Sequence, residues 1–335
     1  MSRMRVLCLI QGEKSPSARV RVLNLLPELQ AEGIDAQALA YPRTRIDKLR
    51  VFATLSRFDV VLLQKRLVSP FDLRLLRLLS KKLVFDFDDA IYYRHDSHAE
   101  LLSAGRQRKF RGIVRAADLV IAGNDILAAA ARQFSNRAVV LPSAVEVRDV
   151  PCRQHGTADA PVRIGWIGGV NNLIHLQSLS GVLRRLARDY AIELRVISGR
   201  ELTMPGVSVR FVPWSLETQE RELAALDIGI MPLPNNPHTE GKCAYKALQY
   251  MAAGVPPVVS DVGTNRSVVI DGESGFVAAT DEDFYRALEL LITDGPLRAQ
   301  LGAQARARAE ENYSVQVVGK ALGRELHRLR DRRCG

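Results

Sequence analysis

Short, continuously apolar segments alternate with longer segments of helical periodicity along this chain of 335 residues. A continuous apolar run of about four to eight residues is typical of a strand buried on both faces, and helices between such strands indicate parallel sheets. The pattern therefore predicts an α/β fold. The predicted strands span 5–10, 34–41, 58–65, 82–89, 117–123 and 136–144, followed by 162–169, 192–199, 207–214, 225–233 and 255–261.

The pattern occurs twice, and a segment rich in proline, glycine and polar residues (151–161) separates the two halves. A chain of this length exceeds the usual size of a single domain. We therefore expect two facing Rossmann-like domains with parallel sheets and an interdomain cleft, one over 1–150 and one over 160–312. Open parallel sheets bind ligands beyond the carboxyl ends of their strands, so we expect the site there.

Composition and the ends of the chain disfavour several classes of protein. No uncharged apolar run reaches the roughly 18 residues of a membrane span, so no transmembrane helix is expected. The segment MSRMRVLCLI passes directly into a predicted strand, so we expect no signal peptide. The cysteines Cys8, Cys152, Cys243 and Cys334 lack CxxC spacing. They are expected to be reduced thiols of a cytoplasmic protein, with Cys8 in the core.

The net charge of +10 is concentrated in the first half of the chain. Residues 1–150 hold 25 bases and 16 acids, whereas 151–335 hold 22 and 21. The excess is densest over 43–82, with eleven bases and three acids, and 70–82 alternates leucines with bases at helical spacing. The segment is either a solvated helix face or a contact for an anionic partner, such as a membrane surface or a phosphate-rich acceptor. Nucleic acid is disfavoured because aromatic residues make up 6% and no recognition motif occurs.

The first predicted strand is followed by QGEKSPSARVRV, in which Gly12 permits a tight turn and Arg19 and Arg21 enter the next helix. The dinucleotide fingerprint GxGxxG is absent. This segment is either a flexible loop or a loop that touches the acceptor or the donor phosphates.

Three carboxylates, Asp86, Asp88 and Asp89, end the predicted strand KLVFDFDD. Such a group is costly unless it hydrogen-bonds, caps a helix or serves a site. Asp86 and Asp88 point to the same side of the strand. We favour a carboxylate that orients an acceptor hydroxyl or a transferred sugar. The alternatives are a helix N-cap and a divalent metal site, since Asp-Phe-Asp matches the short DxD signature of other sugar transferases.

Two further segments predict anion binding. Gly168 and Gly169 end the strand VRIGWIGG, where glycines let the backbone approach a ligand and helix amides favour an anion; the alternative is a simple tight turn. The segment GKCAYKALQYMAAG is predicted as a helix beginning on Gly241, with Lys242 and Lys246 in its first turns. Its amino terminus and lysines would suit a diphosphate, and Gln249 a ribose. The alternative is an ordinary amphipathic helix.

With these motifs the chain resembles the retaining family 4 glycosyltransferases of GT-B fold, in a branch found among bacterial surface-polysaccharide enzymes. The resemblance rests on the segments SARVRV (17–22), DFDDAIY (86–92), IGWIGG (164–169) and GKCAYKALQYMAAGVPPVVSDVGTNRSVVIDGESGFVA (241–278). It implies an acceptor domain over 1–150, a nucleotide-sugar donor domain over 160–312, and a helical tail over 313–335 that packs back on the first domain. Transfer would retain anomeric configuration without an obligatory metal.

The resemblance and the strand-end residues together define the expected site. The expected catalytic residues are Asp88, Asp89, Lys242 and Lys246. The expected donor contacts are Gly168, Gly169, Asn171, Asn172, Glu240, Gly241, Lys242, Cys243, Ala244, Tyr245, Lys246 and Gln249. The expected acceptor-side residues are Gly12, Arg19, Arg21 and Tyr92. The partners would be a nucleotide-sugar donor, a saccharide or lipid-linked acceptor and an anionic membrane surface, with no cofactor.

The chain departs from the family pattern at two places. The family's Glu-x7-Glu pair would fall on Gly241 and Gln249, and its Arg and Lys after the first strand of the second domain are replaced by 169–172. The phosphate-binding charge would then come from Lys242 and Lys246. Two alternatives stay open: a GT-B nucleotide-sugar epimerase or hydrolase, and an inactive scaffold subunit that binds a nucleotide sugar.

Overall fold

The computed structural model describes residues 3–95, 98–154 and 161–331. The strands in these residues form two six-stranded sheets, and each neighbouring pair of strands runs parallel. The strands are β1 (Met4–Ile10), β2 (Ile34–Ala40), β3 (Val60–Gln64), β4 (Leu83–Phe87), β5 (Leu119–Ala122), β6 (Ala138–Val140), β7 (Val162–Ile167), β8 (Ile192–Ser198), β9 (Val209–Pro213), β10 (Ile228–Met231), β11 (Pro257–Ser260) and β12 (Phe276–Ala278).

Helices connect the strands. In the described parts of the chain, none of them is long and apolar enough to cross a membrane. The helices are α1 (Pro16–Arg21), α2 (Leu26–Ala31), α3 (Arg45–Phe52), α4 (Pro70–Leu79), α5 (Ala104–Ala116), α6 (Asp125–Arg132), α7 (Leu173–Ser178), α8 (Ser180–Asp189), α9 (Gln219–Ala224), α10 (Tyr245–Ala252), α11 (Asn265–Val268), α12 (Asp281–Thr293), α13 (Gly295–Tyr313) and α14 (Val315–Asp331).

Contacts divide the chain into two compact units. The first unit contains the residues up to Ala144, the segment Asn236–Cys243 and the residues from Val315 onward. The second unit contains Val145–Asn235 and Ala244–Ser314. The segment Asn236–Cys243 differs from the expected division, which placed it in the second domain. Its place in the first unit follows from side-chain hydrogen bonds described below.

The first sheet has the strand order β2-β1-β3-β4-β5-β6. Its middle strands are buried on both faces, which explains their continuous apolar runs. On β1, Leu7 and Leu9 join the core on one face, whereas Val6, Cys8 and Ile10 join the core on the other. Cys8 is buried as predicted, and burial raises the pKa of its thiol to about 12.

Helix α14 covers the second of these two faces. Its buried positions recur at helical spacing and pack with β1 and α2 in one core. They are Val315, Val318, Leu322, Leu326 and Leu329. The predicted tail extended to residue 335; residues 332–335, including Cys334, lie outside the described residues.

The periodicity of residues 18–33 predicts a single helix, but the structure shows an interruption in this segment. Helix α1 ends at Arg21, a 3-10 turn spans Leu23–Leu25, and α2 begins at Leu26. Pro27 lies in the first turn of α2. Proline has no backbone N–H and its ring clashes with the preceding turn of a helix, so the helix restarts at this position.

The second sheet has the strand order β12-β11-β10-β7-β8-β9. Helix α10 packs closely on the centre of this sheet. A Cβ on Gly229 would lie only 2.3 Å from Cγ of Tyr250, so only glycine leaves room for the helix there. The buried hydroxyl of Tyr250 accepts a hydrogen bond from the Ile167 amide (3.0 Å) and donates to the Ile230 carbonyl (3.1 Å). This side chain therefore joins α10 to the central strands β7 and β10. Strand β12 was not predicted, since three residues are too short for a periodic signal.

Candidate active site

The carboxyl ends of β3 and β4 bring a lysine and two carboxylates together in the first unit. Lys65 follows β3 with a left-handed backbone (φ 47°), a conformation that costs energy in a residue other than glycine. Its Nζ lies 2.9 Å from Oδ1 of Asp88 and 3.0 Å from Oδ2 of Asp89. We call Lys65, Asp88, Asp89 and Lys242 the Lys65 cluster.

The two carboxylates of the Lys65 cluster differ in their partners. Asp88 accepts hydrogen bonds at 2.8 Å from the Ser17 hydroxyl, which itself accepts from Nε2 of Gln64 at 2.7 Å. Asp89 has one oxygen, Oδ1, that is buried without a hydrogen-bond donor, and Nζ of Lys242 lies 4.0 Å from it. Oδ1 of Asp89 is therefore a buried acceptor without a hydrogen bond, beside the lysine Lys242.

Charge fixes the protonation of Asp89. Burial alone would raise its pKa, but Lys65, followed by Lys242 and His238, outweighs burial and lowers the pKa to about 2. Burial would likewise lower the pKa of Lys65, but Asp88 and Asp89 raise it. Asp89 is thus a carboxylate at neutral pH and is suited to accept a hydrogen bond rather than to remove a proton.

The third carboxylate of the motif, Asp86, has a structural role. Oδ1 of Asp86 lies 2.5 Å from Nη2 of Arg21, and Nη1 of Arg21 donates to the Leu141 carbonyl at 2.7 Å. Both side chains are buried. The expectation that Arg21 faces an acceptor is therefore wrong, because its guanidinium is enclosed between β4 and Leu141.

No group of three His, Cys, Asp or Glu side chains within 3–95, 98–154 and 161–331 is arranged to hold a metal ion. In the DxD segment, the buried Asp86 is bound to Arg21 and Asp88 to Lys65.

The other expected acceptor-side residues lie in the first unit at three places. Gly12 has a positive φ of 152° and accepts the Ser15 amide in the turn before α1. Arg19 lies on α1 and is partly exposed. Tyr92 packs its ring against Phe110 (4.7 Å between centroids), and burial raises its pKa to about 12.

The predicted start of the helix at Gly241 is wrong, because α10 begins at Tyr245. Ala244 before it has a left-handed backbone (φ 52°), which separates the preceding residues from the helix. A Cβ on Gly241 would lie 2.6 Å from Cβ of Ala90, so this glycine serves close packing in the first unit. The Lys242 amide donates to the Thr239 carbonyl at 3.0 Å in a turn.

Side chains of the first unit hold the segment before α10. Nδ2 of Asn124 donates to the carbonyls of Gly241 and Lys242, both at 3.2 Å. The buried thiol of Cys243 donates to the Asp88 carbonyl at 3.2 Å, and burial, with Asp88, raises its pKa. Glu240, also expected as a donor contact, is half-buried. These contacts bring Lys242 to the Lys65 cluster.

In the second unit, α10 begins beside the end of β7. A Cβ on Gly168 would lie 3.0 Å from Cε of Lys246, and Nζ of Lys246 lies 5.4 Å from the ring centre of Trp166. The first turn of any helix offers amides without acceptors in the helix and a positive end of the helix dipole. A glycine end, a lysine and a helix amino terminus are groups of the kind that bind anions in proteins.

The remaining expected donor contacts flank this place. Asn171 is exposed, and Asn172 is half-buried with its Oδ1 buried and without a hydrogen-bond donor. Gln249 lies three residues after Lys246 and on the same side of α10. The others are Gly169, which is exposed, Ala244, which is buried, and Tyr245, which is half-buried.

Sequence reasoning missed Lys65, although a signal was present. Lys65 ends the apolar run FDVVLLQK, so the rule that selected Asp88 and Asp89 at a strand end selects it as well. Asn124 had no such signal, because it reads as an ordinary helix N-cap; its Oδ1 does accept the Leu127 amide at 2.8 Å.

Comparison with known proteins gives a family match over part of the chain, and a fold. Residues 161–294 match the family described as glycosyl transferases group 1. None of the curated proteins matches the sequence. The family match supports a glycosyltransferase.

Several solved structures share the fold at low identity. HepE of Anabaena, in complex with UDP and glucose, is 15% identical over 97% of this chain and 100% of its own, with a TM-score of 0.70. Sucrose-phosphate synthase of Thermosynechococcus elongatus is 14% identical over 98% and 99%, with a TM-score of 0.75. The lipopolysaccharide outer core galactosyltransferase WaaB is 14% identical over 97% and 99%, with a TM-score of 0.66. The expected fold of two Rossmann-like domains, GT-B, is confirmed.

Proposed function

We propose that the protein is a retaining glycosyltransferase of family 4 that transfers a sugar, such as a hexose, from a nucleotide-sugar donor to a saccharide or lipid-linked acceptor in cell-surface glycan synthesis. The observation that carries the proposal is the place of Lys246 beside Gly168, at the start of α10 and inside the residues that match the glycosyl transferases group 1. A diphosphate needs a site of this chemistry.

The donor side of the reaction belongs to the second unit. The acceptor oxygen attacks the anomeric carbon, the bond between that carbon and the diphosphate oxygen breaks, and the hydroxyl proton passes to the departing diphosphate. Negative charge grows on the diphosphate as the bond breaks. Lys246 and the first turn of α10 stabilise this charge, and Gly168 lets the backbone approach it. HepE, which shares the fold, binds UDP-glucose, so UDP-glucose is the first donor to test.

The acceptor side belongs to the first unit. Asp89 is ionised, and its buried Oδ1 accepts the hydrogen bond of the acceptor hydroxyl, which orients the oxygen for attack. Lys65 holds Asp88 and Asp89 in one arrangement, and Lys242 adds positive charge. Arg21 and Lys65 compensate the carboxylates of the DxD segment, which supports a reaction that needs no metal.

We place the enzyme in the cytoplasm, bound peripherally at the inner face of the plasma membrane. The support is the charge of the first 150 residues, 25 bases against 16 acids, because a lipid-linked acceptor lies in a membrane with anionic head groups.

Thermal-shift measurements with UDP, GDP, ADP and their sugars test the donor site, since a ligand that binds the folded state raises the melting temperature. Release of UDP from UDP-glucose is then followed with and without candidate acceptors. Acceptor-dependent release supports the proposal. Equal release without acceptor would indicate a hydrolase, and binding without turnover a scaffold subunit.

A further inference from the structure

Two neighbouring helices of the first unit, α3 and α4, carry large apolar side chains into solvent. Ile46 and Leu49 on α3 are 64% and 74% exposed, and Phe71 and Leu78 on α4 are 70% and 76% exposed. Single exposed apolar side chains are normal, whereas several on adjacent helices mark an interaction surface. We call these four residues the α3–α4 apolar surface.

The four exposed residues do not contribute to the hydrophobic core of the first unit. On each helix they lie on one stripe, since the pair on α3 is three residues apart and the pair on α4 seven. The inward sides are already filled, with Phe52 of α3 and Leu76 of α4 buried. Nζ of Lys48 lies 2.7 Å from Oδ2 of Asp72 and joins the two helices. The packing of α3 and α4 therefore does not depend on the residues of the α3–α4 apolar surface.

The charge around these four residues is predominantly positive. Arg74 lies between Phe71 and Leu78 on the same stripe of α4. The acids of this region are engaged: Asp72 with Lys48, Asp59 with Lys81, and Asp47 with the Thr44 cap of α3. Exposed arginines remain in excess on and near the two helices. They are Arg43, Arg45, Arg50, Arg57 and Arg74.

We infer that the α3–α4 apolar surface inserts into the head-group region of an anionic phospholipid membrane, with these arginines at the lipid phosphates. The inference rests on the proposed function, whose lipid-linked acceptor lies in such a membrane, and it names the surface that reaches it. Apolar side chains flanked by bases on helices are the chemistry of interfacial binding. A protein partner or a second copy of this chain would have to supply acids opposite these arginines.

The test is co-sedimentation of the full chain with vesicles of phosphatidylcholine alone and of phosphatidylcholine with phosphatidylglycerol. Binding should need the anionic lipid and should persist in part at about 1 M salt, where the Debye length is about 3 Å and exposed charges are screened. The variant Ile46→Ser/Leu49→Ser/Phe71→Ser/Leu78→Ser should lose the salt-resistant binding by at least about tenfold. All four residues are exposed, so circular dichroism should show an unchanged fold.

A matched control uses exposed apolar residues of the second unit. Ile174→Ser/Leu290→Ser, at sites 65% and 43% exposed, should bind vesicles like the wild type. A charge variant, Arg45→Glu/Arg50→Glu/Arg74→Glu, should lower binding at about 0.1 M salt by more than about tenfold.

Three results would overturn the inference. They are absence of wild-type binding to anionic vesicles at low salt, unchanged salt-resistant binding in the four-serine variant, and a wild-type dimer that the four serines dissociate without any vesicle binding. The thermal shift with UDP is measured on the same samples. A shift that stays intact while vesicle binding fails counts against the membrane surface alone. Vesicle binding without a shift by any nucleotide sugar counts against the proposed function alone.

Discussion

Replacement of Lys65 by methionine tests the electrostatic design of the Lys65 cluster. Lys65 is the cation nearest to both Asp88 and Asp89, and its own side chain is 15% exposed. Methionine keeps most of the length of the side chain and removes the charge. The two carboxylates then lose their principal counter-charge while they stay largely enclosed.

The magnitude follows from the pKa of Asp89. Its decrease from 3.8 to about 2 corresponds to about 2 kcal/mol of stability at neutral pH. Removing one partner of a buried ion pair generally costs about 3–5 kcal/mol, because the other charge stays behind. We therefore expect Lys65→Met to lower the free energy of unfolding of the first unit by about 3–5 kcal/mol at pH 7.

The pH dependence separates this cause from a simple packing defect. The pKa of folded Asp89 lies below that of the unfolded chain, so its contribution is complete above the unfolded value and is lost as pH falls through about 2. The free energies of unfolding of wild type and variant should therefore differ less at pH 3 than at pH 7, by about 1 kcal/mol or more. His238, Lys242 and Asp88 also face Asp89 and are present in both proteins.

Hydrogen exchange of the peptides that cover β3 and β4 is the suitable measurement. Both tryptophans, Trp166 and Trp214, lie in the second unit, so fluorescence does not report on the first. Lys81→Met is the matched control, since the pair of Lys81 with Asp59 is 53% and 32% exposed and should contribute less than about 1 kcal/mol. The reasoning would be refuted if the loss of unfolding free energy in Lys65→Met did not depend on pH, or if it were no larger than the loss in Lys81→Met.

Three further perturbations probe the second unit and the metal question. Lys246→Ala should weaken UDP binding by about 1.5–3 kcal/mol in calorimetry, whereas Lys109→Ala on α5 should not; equal affinities would remove Lys246 from the donor site. Tyr250→Phe should cost about 1–3 kcal/mol in urea unfolding, because the Ile167 amide loses its acceptor; a cost near zero would contradict that bridge. Acceptor-dependent UDP release should survive excess EDTA, and loss restored by manganese or magnesium would assign a metal.

The fold could be predicted from the sequence because parallel strands that are buried on both faces have continuously apolar sequences. VVLLQ and LVFDF lie where the runs were read. Interruptions within a helix were harder to predict. The apolar periodicity continues through Pro27 and indicated one helix, whereas a new helix begins with this proline in its first turn.

The site could be predicted only in part, because its geometry depends on contacts between distant residues. The strand-end rule found Asp88 and Asp89. The role of Asp86 depends on Arg21, which is 65 residues away in the sequence, and no local sequence pattern predicts that the two side chains form a pair. Gly241 looked like a helix start, but its lack of a side chain serves contact with Ala90. A residue type that suits two roles is resolved only by its neighbours in space.

The position of α14 has a consequence for synthesis of the protein on the ribosome. The face of β1 formed by Val6, Cys8 and Ile10 is synthesised long before the helix that covers it, Val315–Asp331. The residues of the second unit, which ends at Ser314, are all translated before this helix. Domains generally fold from the amino terminus as they are synthesised, at about 5–20 residues per second. In this chain the first unit cannot complete its core in that order, because this face of β1 stays uncovered and accessible to chaperones until α14 has been synthesised.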